Sequence, residues 1–274
     1  MKKTMTDDFY PPDMIEEKDE NQEGLMTWTG HLTELRGRIL KVLAFFVFVF
    51  IALYPFSGKI LEILTLPLAQ VMQETGGSRR MIFTGLAEGF VTHLKLSAFG
   101  AAIVAFPFAA FQIWRFISPG LYDNERRFIR PFFLASPVLF AAGGAFVFFA
   151  LMPVAFHFLL SFQQLTASGN SLPVVLEARL AEYLSFLMTL ILAFGISFQL
   201  PVVLVILGRL KIITAQDLKD FRRYAIVFIF VAAAVLTPPD VVSQLALAFP
   251  LLFLYESAVW CIQSLEKKDD QGYK

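Results

Sequence analysis

Apolar residues in this 274-residue chain gather into six long blocks separated by short polar stretches. The blocks cover residues 42–56, 96–114, 131–162, 184–207, 224–236 and 241 to about 263, and the third contains no charged residue. About 20 helical residues at 1.5 Å each cross a 30 Å hydrocarbon core, so the pattern predicts an all-α polytopic membrane protein with six transmembrane helices. The blocks are unequal. The third, if helical throughout, is about 48 Å long and the fifth about 20 Å. A kink of the third helix near Pro153, with an outward projection, is therefore expected. The short fifth helix and the sixth, joined by a tight turn over residues 237–240, are expected to thin the bilayer locally.

Helical periodicity continues between the blocks. Leu32, Leu35, Ile39 and Val42 share one face while Glu34, Arg36, Arg38 and Lys41 occupy others, which predicts an amphipathic helix leading into the first span, with Trp28 as an interfacial anchor. Residues 60–73 place Leu61, Leu64 and Leu68 on one face and Glu62 on another. They predict a surface cap on the outer side, broken by Pro67. Thr214 followed by Asp217 has capping-box spacing and predicts a short helix before the fifth span. Gln199, two residues before Pro201, is the deepest polar residue of the fourth block. It is expected to face the bundle and to bond an incoming helix or a carbonyl released by the proline.

Composition narrows the function. The chain is 57% apolar and only 17% charged, against about 25% in soluble domains. Lys plus Arg equals Asp plus Glu at 23 each, which leaves no global basic field for nucleic acid. A single cysteine, Cys261, excludes an internal disulfide, and zinc-type ligand spacing is absent, so no metal or cofactor is expected. Neither a Gly-x-Ser-x-Gly elbow nor a His-Glu-x-x-His motif occurs, which speaks against an intramembrane hydrolase. His31, His93 and His157 read as structural, and Gly143 with Gly144 as a close helix contact rather than a phosphate cradle.

Charge does set orientation. Alternate segments hold six, four, five and three basic residues, whereas the intervening ones hold three, one and none, with Lys95 just inside the second block. Cytoplasmic loops retain Lys and Arg, so both termini are expected in the cytoplasm. Residues 1–24 lack the pattern of a cleavable signal peptide, and the first span is expected to act as the insertion signal. Residues 1–27 read as an acidic cytoplasmic extension, with eight acidic and three basic residues in its first 23. The membrane domain is expected over 28–264 and a cytoplasmic tail over 265–274.

Several short stretches closely resemble the TatC family. They are the run from His31 to Arg38 (HLTELRGR), the loop from Phe116 to Arg127 (FISPGLYDNERR), Tyr183 to Phe186 with Phe194 to Pro201 (YLSF, FGISFQLP), and the turn Thr237-Pro238-Pro239-Asp240. The likeness covers roughly residues 28–264, in order. It implies the core receptor of twin-arginine translocation, which recognises folded proteins bearing a twin-arginine signal peptide and assembles with single-span TatA- and TatB-like partners in the cytoplasmic (inner) membrane. By this resemblance Glu34 and Glu125 form the signal-recognition surface, with Arg36, Phe116, Pro119, Leu121, Tyr122 and Arg126 completing it. Gln199 stands where many relatives carry Glu and, with Thr237 and Gln244, marks an intramembrane polar or partner site. Pro67 matches a proline of the first outer loop, and Asp240 closes the last outer turn. An oligomeric assembly, no cofactor and no enzyme activity are also implied.

The chemistry is sound on its own terms. A carboxylate accepts the planar fork of a guanidinium in a bidentate way that Lys cannot match, and two adjacent arginines need two acceptors. Each of Glu34 and Glu125 lies among basic residues, so pairing with Arg36, Arg38, Arg126 or Arg127 on a solvated surface is the plainer alternative. A secondary transporter with a polar site at the Gln199, Pro201 break is the alternative at the level of function.

Overall fold

The computed structural model describes residues 28–74, 81–161, 178–237 and 241–272. The expected acidic extension, the Asp240 position and the side chain of Trp28 lie outside what is described. Nine α-helices arranged as six rods build the described fold. The first rod is α1 (Trp28–Leu53) running through a 3₁₀ turn (Tyr54–Phe56) into α2 (Ser57–Glu74). The second is α3 (Glu88–Ile117), and the third is α4 (Asp123–Phe146), a five-residue π-helical stretch (Val147–Leu151) and α5 (Met152–Leu160). The fourth joins α6 (Leu180–Ser197) to α7 (Leu200–Arg209), and α8 (Ala215–Leu236) and α9 (Val241–Gly272) complete the set. The described strands are β1 (Met81–Ile82) and β2 (Ala178–Arg179), paired in parallel. Five stretches are long and apolar enough to cross a membrane: Gly30–Glu74, Glu88–Gly120, Glu125–Leu160, Leu180–Arg209 and Ser243–Lys267. The 22-residue α8, whose first turns carry several charged residues, is not among them.

Three boundaries differ from the sequence reading. Pro67 does not break its helix and lies buried inside α2. A proline removes one intrahelical hydrogen bond, and tertiary packing offsets that loss here: Leu64, Leu68, Val71 and Met72 are all buried, and Tyr183 Oη donates to the Leu64 carbonyl at 2.6 Å. The Thr214–Asp217 box does form, with the Asp217 N–H donating to Thr214 Oγ1 at 3.1 Å and the Thr214 N–H to Asp217 Oδ2 at 2.8 Å. The hydroxyl and N–H of Thr214 hold the Asp217 carboxyl below the ordinary carboxylate range. The helix it opens is not a separate short one, because α8 continues directly through the fifth apolar block. In the third block the α-helical register breaks at Val147–Leu151, just before Pro153, while Pro131 and Pro137 are accommodated inside α4. A wider π turn is a common way to absorb such a disturbance.

The centre of the fold is α6. Leu184, Leu187, Leu190 and Phe194 are fully buried together with Leu68, Leu96, Met152 and Leu247 from four other helices. Lipid tails are as apolar as these side chains, so close packing rather than water exclusion holds the rods. Gly143 is the clearest case. A Cβ there would lie 2.7 Å from the Phe194 carbonyl oxygen, and one at Gly195 would lie 2.6 Å from the Phe140 ring. The two glycines let α4 and α6 touch, as the sequence reading expected of Gly143. Outward faces remain apolar, with Val227, Phe228, Val231 and Val235 of α8 all exposed.

Polar links fasten both ends of the bundle. At the α2 end, Glu88 accepts the backbone N–H groups of Thr84 at 2.6 Å, Gly85 at 3.0 Å and Ala181 at 3.3 Å, which joins the segment before α3 to the start of α6. Ser57 bonds His93 Nδ1 at 2.9 Å, and His157 Nε2 lies 3.2 Å from Glu74. At the opposite end Arg222 grips Glu256 through two contacts of 2.7 and 2.8 Å, Tyr255 Oη donates to the Leu218 carbonyl at 2.6 Å, and Glu266 accepts the Ala215 N–H at 2.9 Å.

Candidate functional site

The site is built where α1 begins and α3 hands over to α4. Glu34 and Arg38 are four residues apart on α1, in the orientation that favours an ion pair. Arg38 Nε donates to Glu34 Oε1 at 3.0 Å, and its Nη2 contacts the same oxygen. That Nη2 also donates to the Arg115 carbonyl at 3.0 Å, near the C-terminus of α3. Both side chains are largely shielded, 23% exposed for Glu34 and 16% for Arg38. The second carboxylate oxygen, Glu34 Oε2, is buried and has no hydrogen-bond partner among the described residues. A buried charged acceptor left unpaired is costly. His31 stacks on Phe116 with ring centroids 4.3 Å apart, a second tie between α1 and the loop after α3.

The loop is short and preset. Pro119 starts a 3₁₀ turn over Ser118–Gly120, and the Leu121 N–H closes it on the Ser118 carbonyl at 3.4 Å. Leu121 packs against Ile129, Val202 and Ile206, which fixes the loop to α4 and α7. Tyr122 is extended at the N-cap of α4 and is 80% exposed. Glu125, in the first turn of α4, accepts the Tyr122 N–H at 3.2 Å, a placement the helix dipole also favours. Among the described residues Glu125 has no ion pair, so of the two acids only Glu34 pairs with a neighbouring arginine. Pro119 and Arg36 are exposed, and Arg126 turns toward a groove it shares with Arg127 and Arg130.

An apolar groove of about 470 Å³ starts at this face and runs between α1 and α3. Arg38 and Phe116 stand at its polar end, and Leu35, Val42, Phe46 and Phe106 are among its walls. Sequence reading missed two of the face's features. Arg38 was one basic residue among several, and its reach to Arg115 spans 77 positions. Ser118, whose buried hydroxyl also has no partner among the described residues, carries no sequence signal beyond its place in the loop.

The intramembrane polar residues do not form one network. Gln199 caps the break between α6 and α7, where its Oε1 accepts from Ser136 Oγ at 2.5 Å and its Nε2 donates to the Ser136 carbonyl at 3.1 Å. A weaker bond of 3.4 Å reaches the Gly195 carbonyl. Gln199 thus faces the bundle as expected, but its amide is spent on α4 rather than on a carbonyl released by Pro201. No amide donor is left aimed at a solute. Thr237 is buried and donates to the Ala233 carbonyl at 2.9 Å, and Gln244 donates to the Phe230 carbonyl at 3.2 Å. Those two residues bind α8 to itself and to α9.

Comparisons with known proteins agree with this architecture. The family described as Sec-independent protein translocase protein (TatC) matches residues 30–250. A Rickettsia prowazekii protein named Sec-independent protein translocase protein TatC is 45% identical over 235 residues, covering 86% of this chain and 92% of the relative. An Escherichia coli protein of the same name is 38% identical over 243 residues, with 88% of each chain covered. A crystal structure of the twin-arginine translocase receptor TatC superposes with a TM-score of 0.73 at 34% identity, over 85% of this chain and 98% of that one.

Proposed function

The chain belongs to the TatC family of Sec-independent protein translocase proteins, which are multi-pass membrane translocase components rather than enzymes, and from that premise we propose that Glu34 and Glu125 receive the arginine pair of a twin-arginine signal peptide. The observation that carries this reading is the buried, unpartnered Glu34 Oε2, held beside the α3–α4 loop by Arg38 and by the His31–Phe116 stack. Glu125, in the first turn of α4 just after that loop, offers a second carboxylate without an ion pair among the described residues. Two acceptors match two guanidiniums, and lysines would forfeit the bidentate geometry. The apolar groove that begins beside Arg38 suits the apolar segment that follows the charged end of a signal sequence.

In this proposal the chain is the core of a translocase that exports folded proteins, works with single-span TatA- and TatB-like partners and forms an oligomeric assembly. It resides in the cytoplasmic (inner) membrane with both termini inside. The bacterial relatives support the membrane assignment, and the excess of basic residues in alternate segments supports the orientation. The domain limits 28–264, with an acidic extension before and a tail after, belong to the same proposal.

The test is equilibrium binding of a fluorescent twin-arginine signal peptide, and of its twin-lysine counterpart, to the full chain in nanodiscs. The twin-arginine peptide should bind more tightly, and Glu125→Gln should erase that preference while the protein stays folded. Equal affinity for the two peptides would contradict the proposal.

A further inference from the structure

We infer that the groove on the α3–α4 face is a binding site for an anionic phospholipid of the adjacent leaflet. The groove encloses about 700 Å³, and its wall on α4 is a single helical stripe: Arg126, Arg127 and Arg130, then Leu134 and Pro137. From Arg126 to Pro137 the stripe runs about 16 Å along the helix, close to half of a 30 Å hydrocarbon core. Its first two turns are cationic and its later turns apolar, which is the profile of a phosphate headgroup above an acyl chain. Antiparallel α3 supplies the facing wall with Trp114 and Phe111. Arg115, outside the lining, stands 5.9 Å from the Phe111 ring.

Among the described side chains none of Arg126, Arg127 and Arg130 has a carboxylate partner and no acid lines the groove. Glu125 directs its carboxylate to the Tyr122 N–H, and the side chain of Asp123, four residues before Arg127, lies outside those described. Three guanidiniums together repel an arginine-bearing peptide and attract a phosphodiester, to which Arg binds bidentately. Leu134, 69% exposed, is a lipid-facing residue directly below them. A cationic rim over an apolar wall of one leaflet's depth therefore selects lipid over a soluble anion or a basic peptide.

Trp114 is a built-in reporter. The full chain with Trp28→Phe and Trp260→Phe, reconstituted in phosphatidylcholine vesicles, carries Trp114 as its only tryptophan. A brominated acyl chain quenches tryptophan on contact, so brominated phosphatidylglycerol and brominated phosphatidylcholine are titrated at matched mole fractions. The phosphatidylglycerol should quench Trp114 at much lower mole fraction. Arg127→Gln with Arg130→Gln should shift its midpoint upward by roughly fivefold for each arginine removed. Quenching by brominated phosphatidylcholine should stay unchanged, which shows that the groove still faces the bilayer. Equal quenching by the two lipids in the parent protein would overturn the site, as would a phosphatidylglycerol preference that survives both substitutions. A loss that extends equally to phosphatidylcholine would count against it too.

Discussion

The Arg38 guanidinium donates 3.0 Å to the Arg115 carbonyl while it holds Glu34, so one side chain couples the start of α1 to the end of α3. Residues far apart in the chain thereby share one surface, and the loop that leads to Glu125 in the first turn of α4 follows the end of α3. The bond also explains why Glu34 presents only one free oxygen, because Arg38 takes the other.

Arg38→Leu should therefore do more than remove a charge. It leaves the shielded Glu34 carboxylate without its partner and frees α1 from α3, at a cost of about 1–3 kcal/mol. The expected outcome is a lower Tm in detergent together with weaker signal-peptide binding. Arg36→Leu, on an exposed side chain, should leave the Tm nearly unchanged.

Two glycine substitutions should separate close packing from helix propensity. Gly143→Ala places a methyl group 2.7 Å from the Phe194 carbonyl oxygen, which forces α4 away from α6. A loss of about 1–3 kcal/mol is expected. At Gly37 nothing lies within 4 Å of an added Cβ, so Gly37→Ala should be neutral or stabilise α1 by up to about 1 kcal/mol. Thermal unfolding of the two variants in the same detergent checks both.

Gln199 and Ser136 should act as one unit. Gln199→Leu and Ser136→Ala each break the α4–α7 staple, so the double variant should lose less than the sum. The expected coupling is about 0.6–1.7 kcal/mol in a double-mutant cycle. Strict additivity would show that the bond contributes nothing. Gln199→Glu should remain functional in export if water reaches the site.

Cys261 offers a topology test with the native thiol. It is exposed on α9, between Tyr255, which bonds Leu218, and Glu266, which bonds Ala215. That places it level with the first turn of α8, on the basic side of the bundle. A membrane-impermeant thiol reagent should miss it in intact cells and reach it after the cytoplasmic side is opened. Labelling of intact cells would refute cytoplasmic termini.

Local sequence rules carried the elements well. The six apolar blocks, the Thr214–Asp217 cap and the break before Pro201 each depend on residues within a turn or two of one another. Pro67 shows the limit of such rules, because burial of α2 and the Tyr183 bond override the proline's tendency to end a helix. The candidate site's two carboxylates and the loop between the helices were named from the sequence. Its assembly was not, since Arg38 with Arg115, Gln199 with Ser136 and Glu88 with Ala181 are contacts between distant parts of the chain. In the sequence Arg126 read as part of the recognition loop and Arg130 as a topological signal; the groove they share with Arg127 exists only because α3 supplies the facing wall.

Site-specific cross-linking of a twin-arginine precursor to this chain in native membranes tests the central claim most directly. A photoreactive group near the arginine pair should capture the parent protein strongly. The Glu34→Lys, Glu125→Lys double variant, at equal abundance in the membrane, should lose most of that product, since each broken charge-assisted contact costs about 1.5–3 kcal/mol. Undiminished cross-linking to the folded double variant would contradict the assignment of these two carboxylates as the receptor.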